Sequence, residues 1–547
     1  MSENVNNWVV PSSKVLLGVA CGAVGVGLCC YYFHARQSYD IEALKRKGRQ
    51  HFAECTFSEA IKCYTRAIEL CSDDTITLST LHLYRAAVHE ELEDWPKVVE
   101  DCTCAIGMNP NYLKALYCRA KAYSNMGEKR DGLEDVTLLL LLNGFKNKHF
   151  MKLAGKIAKD IGKELAAVEF AKRVVELPSS NHIKGYFSSF TGDVFGTQGN
   201  NIVSCEGDVV YEDILCKLKS HEYNGIVEMC DAVINSDSPH RHRALLLRAT
   251  FNSLLDRDDR AEKDLNELIE TVDGNWDTSF RVHSLIKRVG VKMHRFDDQG
   301  CLDDFERALQ IDDRNANIYH SRGQLHFYAG RRNEAMTDFK KAIELDPSFV
   351  APRIHLGHCI SYLAKHAQSS GDDDWVHMQR EANNVLEETV RLFPENYNAL
   401  SMYGQMLHDQ GRYYEAVTKF ELALALSPTS ATIYVHKALL IMEWRKDITQ
   451  AVQLIRKAIE LDDKCDIAYV TLASLEAQRG DDEEAIRLWR HSLLFVRSET
   501  EMGYTFGLIE AAEFRLKVSD KYDVPRKAVP RELVSESPST WAVAPVA

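Results

Sequence analysis

Small and apolar residues recur along most of this chain in a register that can be counted. The clearest stretch is residues 316–349, where Tyr319, Gly323, Ala335, Phe339, Ala342 and Pro347 stand in fixed order. The pattern predicts two antiparallel helices that cross closely at the small residues, with aromatic and leucine side chains filling the gap between them. Residues 397–430 repeat it with Tyr397, Gly404, Ala416, Phe420, Ala423 and Pro428, and residues 466–493 with Tyr469, Leu472, Ala473, Ala485 and Trp489. Near the N-terminus Leu44, Gly48, Ala60, Tyr64 and Ala67 fit, then Ala86, Ala105 and Pro110, then Leu116, Ala120, Tyr123 and Val136. Weaker copies surround Ala249 and Ala261, Phe305 and Ala308, and Ala438 and Ala458.

A helical hairpin repeated at about 34 residues is the tetratricopeptide (TPR) unit. The expected fold is therefore all-α, a TPR solenoid whose stacked units share one core and leave a concave groove for peptides. The unit from Val350 keeps Gly357 but carries an insertion, Ser369-Ser370-Gly371-Asp372-Asp373-Asp374, expected to lengthen its turn. Three repeats fill residues 34–146. The period fails over 147–210, read as a linker with a flexible loop at Gly192–Asn201, and resumes as a longer array over 211–523. Residues 524–547, with Pro525, Pro530, Pro538 and Pro545, read as a disordered tail.

A short polar tail, residues 1–14, precedes one apolar span. Val15 to Phe33 is a run of 19 uncharged, mostly apolar residues, just long enough to cross a hydrocarbon core of roughly 30 Å. A cleaved signal peptide is the alternative, but the stretch before the span has little positive charge and no A-x-A site follows. Only Lys14 precedes the span, whereas Arg36, Lys45, Arg46, Lys47 and Arg49 follow it. The positive-inside rule then leaves the C-terminal body in the cytosol.

Composition fits a cytosolic body. The 15 cysteines are scattered without a CxxC pair, and Cys63, Cys102 and Cys230 fall at helix-core positions, so neither disulfides nor a metal site is expected. A formal charge of −14 argues against nucleic acid as a partner. There is no GxxxxGK[ST], HExxH or GxSxG motif, and His89-Glu90-Glu91 reads as a helix-surface run. No segment long enough for a catalytic domain escapes the repeats. The expectation is a binding protein, with no enzyme activity and no cofactor.

Further strings carry a more specific resemblance. They are Glu90-Glu91-Leu92-Glu93-Asp94-Trp95 leading into Val98-Val99-Glu100-Asp101-Cys102-Thr103, the run from Lys114 to Tyr123, and the Leu-Glu-Asp-Val-Thr string at 133–137. Outside the repeats, Leu177-Pro178-Ser179-Ser180 leads to Ile183-Lys184-Gly185-Tyr186-Phe187-Ser188-Ser189-Phe190. In these strings, and in its anchor-first order, the chain up to about residue 520 resembles the seventy-kilodalton TPR receptor of the translocase of the outer mitochondrial membrane.

That resemblance implies a single-pass protein of the mitochondrial outer membrane, with its N-terminus in the intermembrane space and its body in the cytosol. It implies that the first array clamps the acidic C-terminal tails of cytosolic heat-shock chaperones. The second array would bind internal targeting signals of hydrophobic, carrier-type precursors and pass them to the import pore with other translocase subunits. Of the family's clamp residues, Lys45 and Lys114 fill the two lysine places. Arg49 and Tyr84 replace two asparagines and Cys118 replaces an arginine; Arg119, one residue on, is rotated about 100° round the helix. The same architecture would suit an anchored TPR scaffold at another membrane, such as the endoplasmic reticulum. A TPR-regulated enzyme would need a catalytic domain that has no place in the chain.

Overall fold

The computed structural model describes residues 38–526, except 72, 73, 193, 194, 196–205, 271–277, 296 and 372. The apolar span at 15–33 and the tail from 527 lie outside the described residues. Among those described, no helix is long and apolar enough to cross a membrane.

All regular structure among the described residues is helical. The first helices are α1 (38–53), α2 (Phe57–Leu70), α3 (Thr75–Glu91), α4 (Trp95–Met108), α5 (Leu113–Met126), α6 (Lys129–Asn143) and α7 (Lys148–Glu169). Then come α8 (Ser180–Ser188), α9 (Glu206–Ser220), α10 (Ile226–Ile234), α11 (Arg241–Leu254), α12 (Asp258–Glu270), α13 (Thr278–His294) and α14 (Asp298–Ile311). The series continues with α15 (Ala316–Tyr328), α16 (Arg332–Leu345), α17 (Val350–Ser370), α18 (Trp375–Leu392), α19 (Tyr397–Asp409) and α20 (Tyr413–Leu426). It ends with α21 (Ala431–Arg445), α22 (Ile448–Leu461), α23 (Asp466–Arg479), α24 (Asp482–Ser492) and α25 (Glu499–Tyr522).

From α3 to α6 and from α11 to α24, each odd-numbered helix packs on the even-numbered helix that follows it. The starts of many are dictated locally. Asn315, Asn396, Asp297, Asp447 and Asp481 each accept a hydrogen bond from a first-turn backbone N–H, satisfying a donor the helix cannot satisfy itself. Within a hairpin the contact is set by a pair sixteen residues apart. A Cβ on Gly323 would lie 2.7 Å from the Phe339 ring, on Gly404 2.9 Å from Phe420, and on Gly48 2.6 Å from Tyr64. Only glycine lets the aromatic ring of the second helix lie flat against the first. Phe339, Phe420 and Tyr64 are thereby almost wholly buried, each stabilising its hairpin by roughly 1.5–3 kcal/mol.

A second pair uses the same spacing and carries charge. Arg85 grips Asp101 through Nε (2.9 Å) and Nη2 (2.7 Å), and Arg119 grips Asp135 in the same way (2.7 and 2.8 Å). Arg248–Asp264, Arg288–Asp304 and Arg322–Asp338 repeat the fork. In four of these five the remaining Nη1 reaches back to the previous hairpin, onto Thr65, Thr103, Asp231 and Asn266. The arginine therefore ties three helices together. Burial pushes the Asp101 carboxyl up, but hydrogen bonds from His82 and Arg85 outweigh it and hold the group below its ordinary value. Asp135 has only the Arg119 fork, and burial leaves it above its ordinary value.

The described residues form two compact units: residues 38–167 together with 506–526, and residues 168–505. The first thus includes helices beyond the three repeats of 34–146. Gly507 brings α25 against α7, where a Cβ would lie 2.9 Å from the Ala158 carbonyl oxygen. Glu510 pairs with Arg130 at 3.0 Å, and Glu134 on α6 pairs with Lys517 (2.8 Å) and Lys521. The stretch 147–210, expected as a linker, holds α7 and α8. Only part of the insertion at 369–374 forms the turn: Ser369 and Ser370 extend α17, Gly371 closes it with a left-handed backbone, and α18 starts at Trp375. His89 is also not a surface residue. It is 6 % exposed, and burial holds its imidazole below the usual value.

Candidate peptide-binding grooves

The sixteen-residue ladder gives a common register for the first helix of each hairpin. Tyr84, Cys118 and Lys287 stand one residue before their ladder arginines, and Lys114, His283 and Asn317 stand five before theirs. Residues four apart share a helix face, so within each compact unit these positions fall on one stripe.

In the first unit the stripe holds Tyr84, Cys118 and Lys114, three of the five positions singled out from the sequence; Lys45 and Arg49 lie on α1, which carries no ladder arginine. Lys45 on α1 is partly buried and pairs with Glu42 at 3.0 Å, and Lys114 on α5 is exposed. Arg49 is exposed and acts on Tyr64, whose hydroxyl burial pushes up to about 12 while Arg49 pulls it down. The Tyr84 ring lies 5.7 Å from that of Tyr64. Arg49, Tyr64 and Tyr84 therefore share one neighbourhood. Cys118 turns to the Cys102 thiol in the core of the second and third hairpins. Arg119 does not substitute for it, because its guanidinium is committed to Asp135 and Thr103. One further cation lies on this helix: Lys121 pairs with Glu90 at 2.6 Å.

In the second unit the stripe is occupied by the chain itself. Ser179 caps α8 by accepting from the His182 N–H, and α8 carries Tyr186 and Phe187. The Lys287 Nζ lies 4.0 Å from the centroids of Tyr186 and Phe190 and donates to the Tyr186 hydroxyl. Lys287 is 6 % exposed, and burial drives its amine well below the usual lysine range. Phe190 also faces the His283 ring at 6.2 Å. The Asn317 side-chain amide accepts from the Thr191 N–H (2.9 Å) and donates to its carbonyl (3.0 Å). Thr191 donates from its hydroxyl to Asp346 at 3.0 Å. One turn along, His320 is buried against His355, Nε2 to Nδ1 at 2.8 Å, with the Ser189 backbone beside it.

Lys287, His283, Asn317 and His320 were not singled out from the sequence. The signal that finds Lys287, His283 and Asn317 is the ladder register, because it assigns them the face that Lys114 and Cys118 occupy; His320 lies one turn on from Asn317.

An all-helical stack with a peptide-gripping face of this kind is a TPR receptor fold. Tetratricopeptide-repeat family models match residues 316–349 and 380–431. The chain is 35 % identical over 495 residues to the mitochondrial import receptor subunit TOM70 of Homo sapiens, covering 88 % of this chain and 80 % of that one. The Mus musculus subunit matches to the same extent, and that of Saccharomyces cerevisiae is 27 % identical over 521 residues. The crystal structure of yeast Tom70 superimposes with a TM-score of 0.53 at 24 % identity, covering 88 % of this chain and 98 % of that one. The chain belongs to the TOM70 family of mitochondrial import receptor subunits.

Proposed function

We propose that this protein is the cytosol-facing precursor receptor of the mitochondrial outer membrane, that its second unit binds internal signals of carrier-type precursors, and that it hands them to the import pore. The observation that carries this reading is the Asn317 grip on Thr191, joined to the family membership. A side-chain amide that satisfies both the N–H and the C=O of one residue recognises extended backbone whatever the side chain, as a receptor for many precursors requires. No covalent step enters this function. Immobilised fragments of carrier precursors and of matrix precursors with basic presequences test it. Carrier fragments should bind more strongly. Equal binding throughout, or binding set by positive charge and erased by modest salt, would leave a generic acidic scaffold.

For the first unit we propose chaperone-tail docking that rests on Lys45, Lys114 and Arg49. Neither Tyr84 nor Cys118 supplies the amide or guanidinium donors of the family pattern. Each charge-assisted contact contributes about 1.5–3 kcal/mol when desolvated and less in a wet groove. Replacing Lys45 and Lys114 together by Ala should weaken binding of an acidic Glu-Glu-Val-Asp peptide, and so should added salt. If the unmodified protein binds none at low salt while Arg49→Asn, Tyr84→Asn and Cys118→Arg together restore binding, the substitutions have closed the site.

A further inference from the structure

We propose that residues 183–191 are a resident peptide ligand of the second unit's groove, which an external segment of the same aromatic and hydroxyl pattern displaces. This rests on the groove reading above but names its occupant. The segment lies outside the repeats, yet the stripe positions of two successive hairpins hold it: His283 and Lys287 on α13, and Asn317 on α15. Its ends are tied by two further hydrogen bonds. Asn181 donates to the Thr429 carbonyl at 3.3 Å, and Thr191 to Asp346. The hydrogen bonds from Asn317 and Asn181 are side-chain to main-chain contacts, the type by which a groove holds a peptide without reading its side chains.

The energetics set a poised balance rather than a permanent seal. Three aromatic side chains, Tyr186, Phe187 and Phe190, pack into the groove, which strongly favours occupancy. Against this, Lys287 is buried with ring faces and one phenol for company, and no carboxylate pairs with it among the described residues. Burying an amine without a counter-charge is costly, and release of the segment returns it to water. An external peptide that offers aromatic faces to Lys287 and an extended residue to Asn317 makes the same contacts. It therefore competes on equal chemistry, against an effective concentration set by the short tether.

The test uses the full chain in detergent and a fluorescein-labelled peptide with the sequence of residues 179–192. Unmodified protein should bind it weakly. The variant Tyr186→Ala/Phe190→Ala, which empties the groove from the segment's side, should bind it at least tenfold more tightly. Adding Asn317→Ala to that variant should remove the gain, and a scrambled peptide should not bind. Because the segment variant could lose its fold, hydrogen exchange on the unmodified protein gives a second reading. Amides 183–191 should exchange through local opening at least a hundredfold faster than those of α13. If those amides open only with α13, or if a folded segment variant binds no peptide, the segment is a fixed part of the core and the proposal is wrong. No precursor enters this assay, so its failure leaves the import reading standing, and failure of the precursor scan leaves this one.

Discussion

At the residue scale, two pairs sixteen positions apart do most of the specifying, and only one could be read in advance. Gly323 with Phe339 was legible because a small residue at a fixed distance from an aromatic, repeated along the chain, marks a close helix crossing. Arg288 with Asp304 was not, because a helix rich in charge reads as a solvated face and its own sequence does not say which charge is buried. Asp304 is 1 % exposed and holds both Arg288 and Lys292. Asp304→Asn should therefore cost about 3–5 kcal/mol, since two cations lose their counter-charge, measured as a shift in the urea midpoint. Gly323→Ala should cost about 1–3 kcal/mol by overpacking Phe339, and Phe339→Leu in the same chain should recover part of it. Acid should act on the second unit through its histidines. Burial holds His436, His358 and His242 at about 4 and His355 at about 3. The unfolded chain takes up these protons near pH 6.5 while the folded one does not, so stability is full above that value and falls as pH drops from about 6.5 towards 4. Calorimetric melting between pH 7.5 and 5 should show the loss, and His436→Gln should flatten the slope; an unchanged slope would mean His436 does not titrate with unfolding.

At the scale of elements, the repeats were legible wherever one hairpin repeats the last, and illegible where the chain breaks its own rule. The insertion after Ser369 looked like a loop because Gly and Asp dominate it, yet Ser369 and Ser370 continue α17. The helices α7 and α8 lie in a stretch without TPR spacing, so periodicity could not announce them. Least visible was α25, whose partners lie far away in sequence. From Phe506 it belongs to the first unit, with Glu134 held by Lys517 and Lys521 and Gly507 against Ala158. Burial pushes the Glu134 carboxyl up, but the two lysines outweigh it and hold the group below its ordinary value. Truncation after residue 505 should accordingly lower the melting temperature of the N-terminal unit, although every clamp position is retained. Gly507→Val should do the same in the full chain. Charge reversal at Glu134 should do so more weakly, and Glu134→Lys with Lys517→Glu and Lys521→Glu should restore most of it. An N-terminal unit that melts identically with and without α25 would show that the three repeats stand alone.

At the scale of the whole molecule, the proposed topology rests on the charges flanking the apolar stretch 15–33, which lies outside the described residues, rather than on the helices. The 15–33 span has one lysine before it and five basic residues within sixteen positions after it, and it is the asymmetry of such charge that orients a span. Downstream, each compact unit closes its own apolar core: Tyr64, Leu81 and Val88 in the first, Phe339, Phe420 and Leu386 in the second. Neither needs the span to bury these side chains. Two outcomes follow from that separation. Protease added to intact mitochondria should remove everything beyond about residue 34 and leave a short membrane-bound stub, detected with an N-terminal tag. Deleting residues 1–33 should yield a protein that stays in solution with the helicity and melting temperature of the full chain in detergent. Full protection of the body in intact organelles would reverse the orientation. A deleted form that aggregates while the full chain does not would mean that the span shields apolar surface of the repeats, and that anchor and receptor are not separate parts.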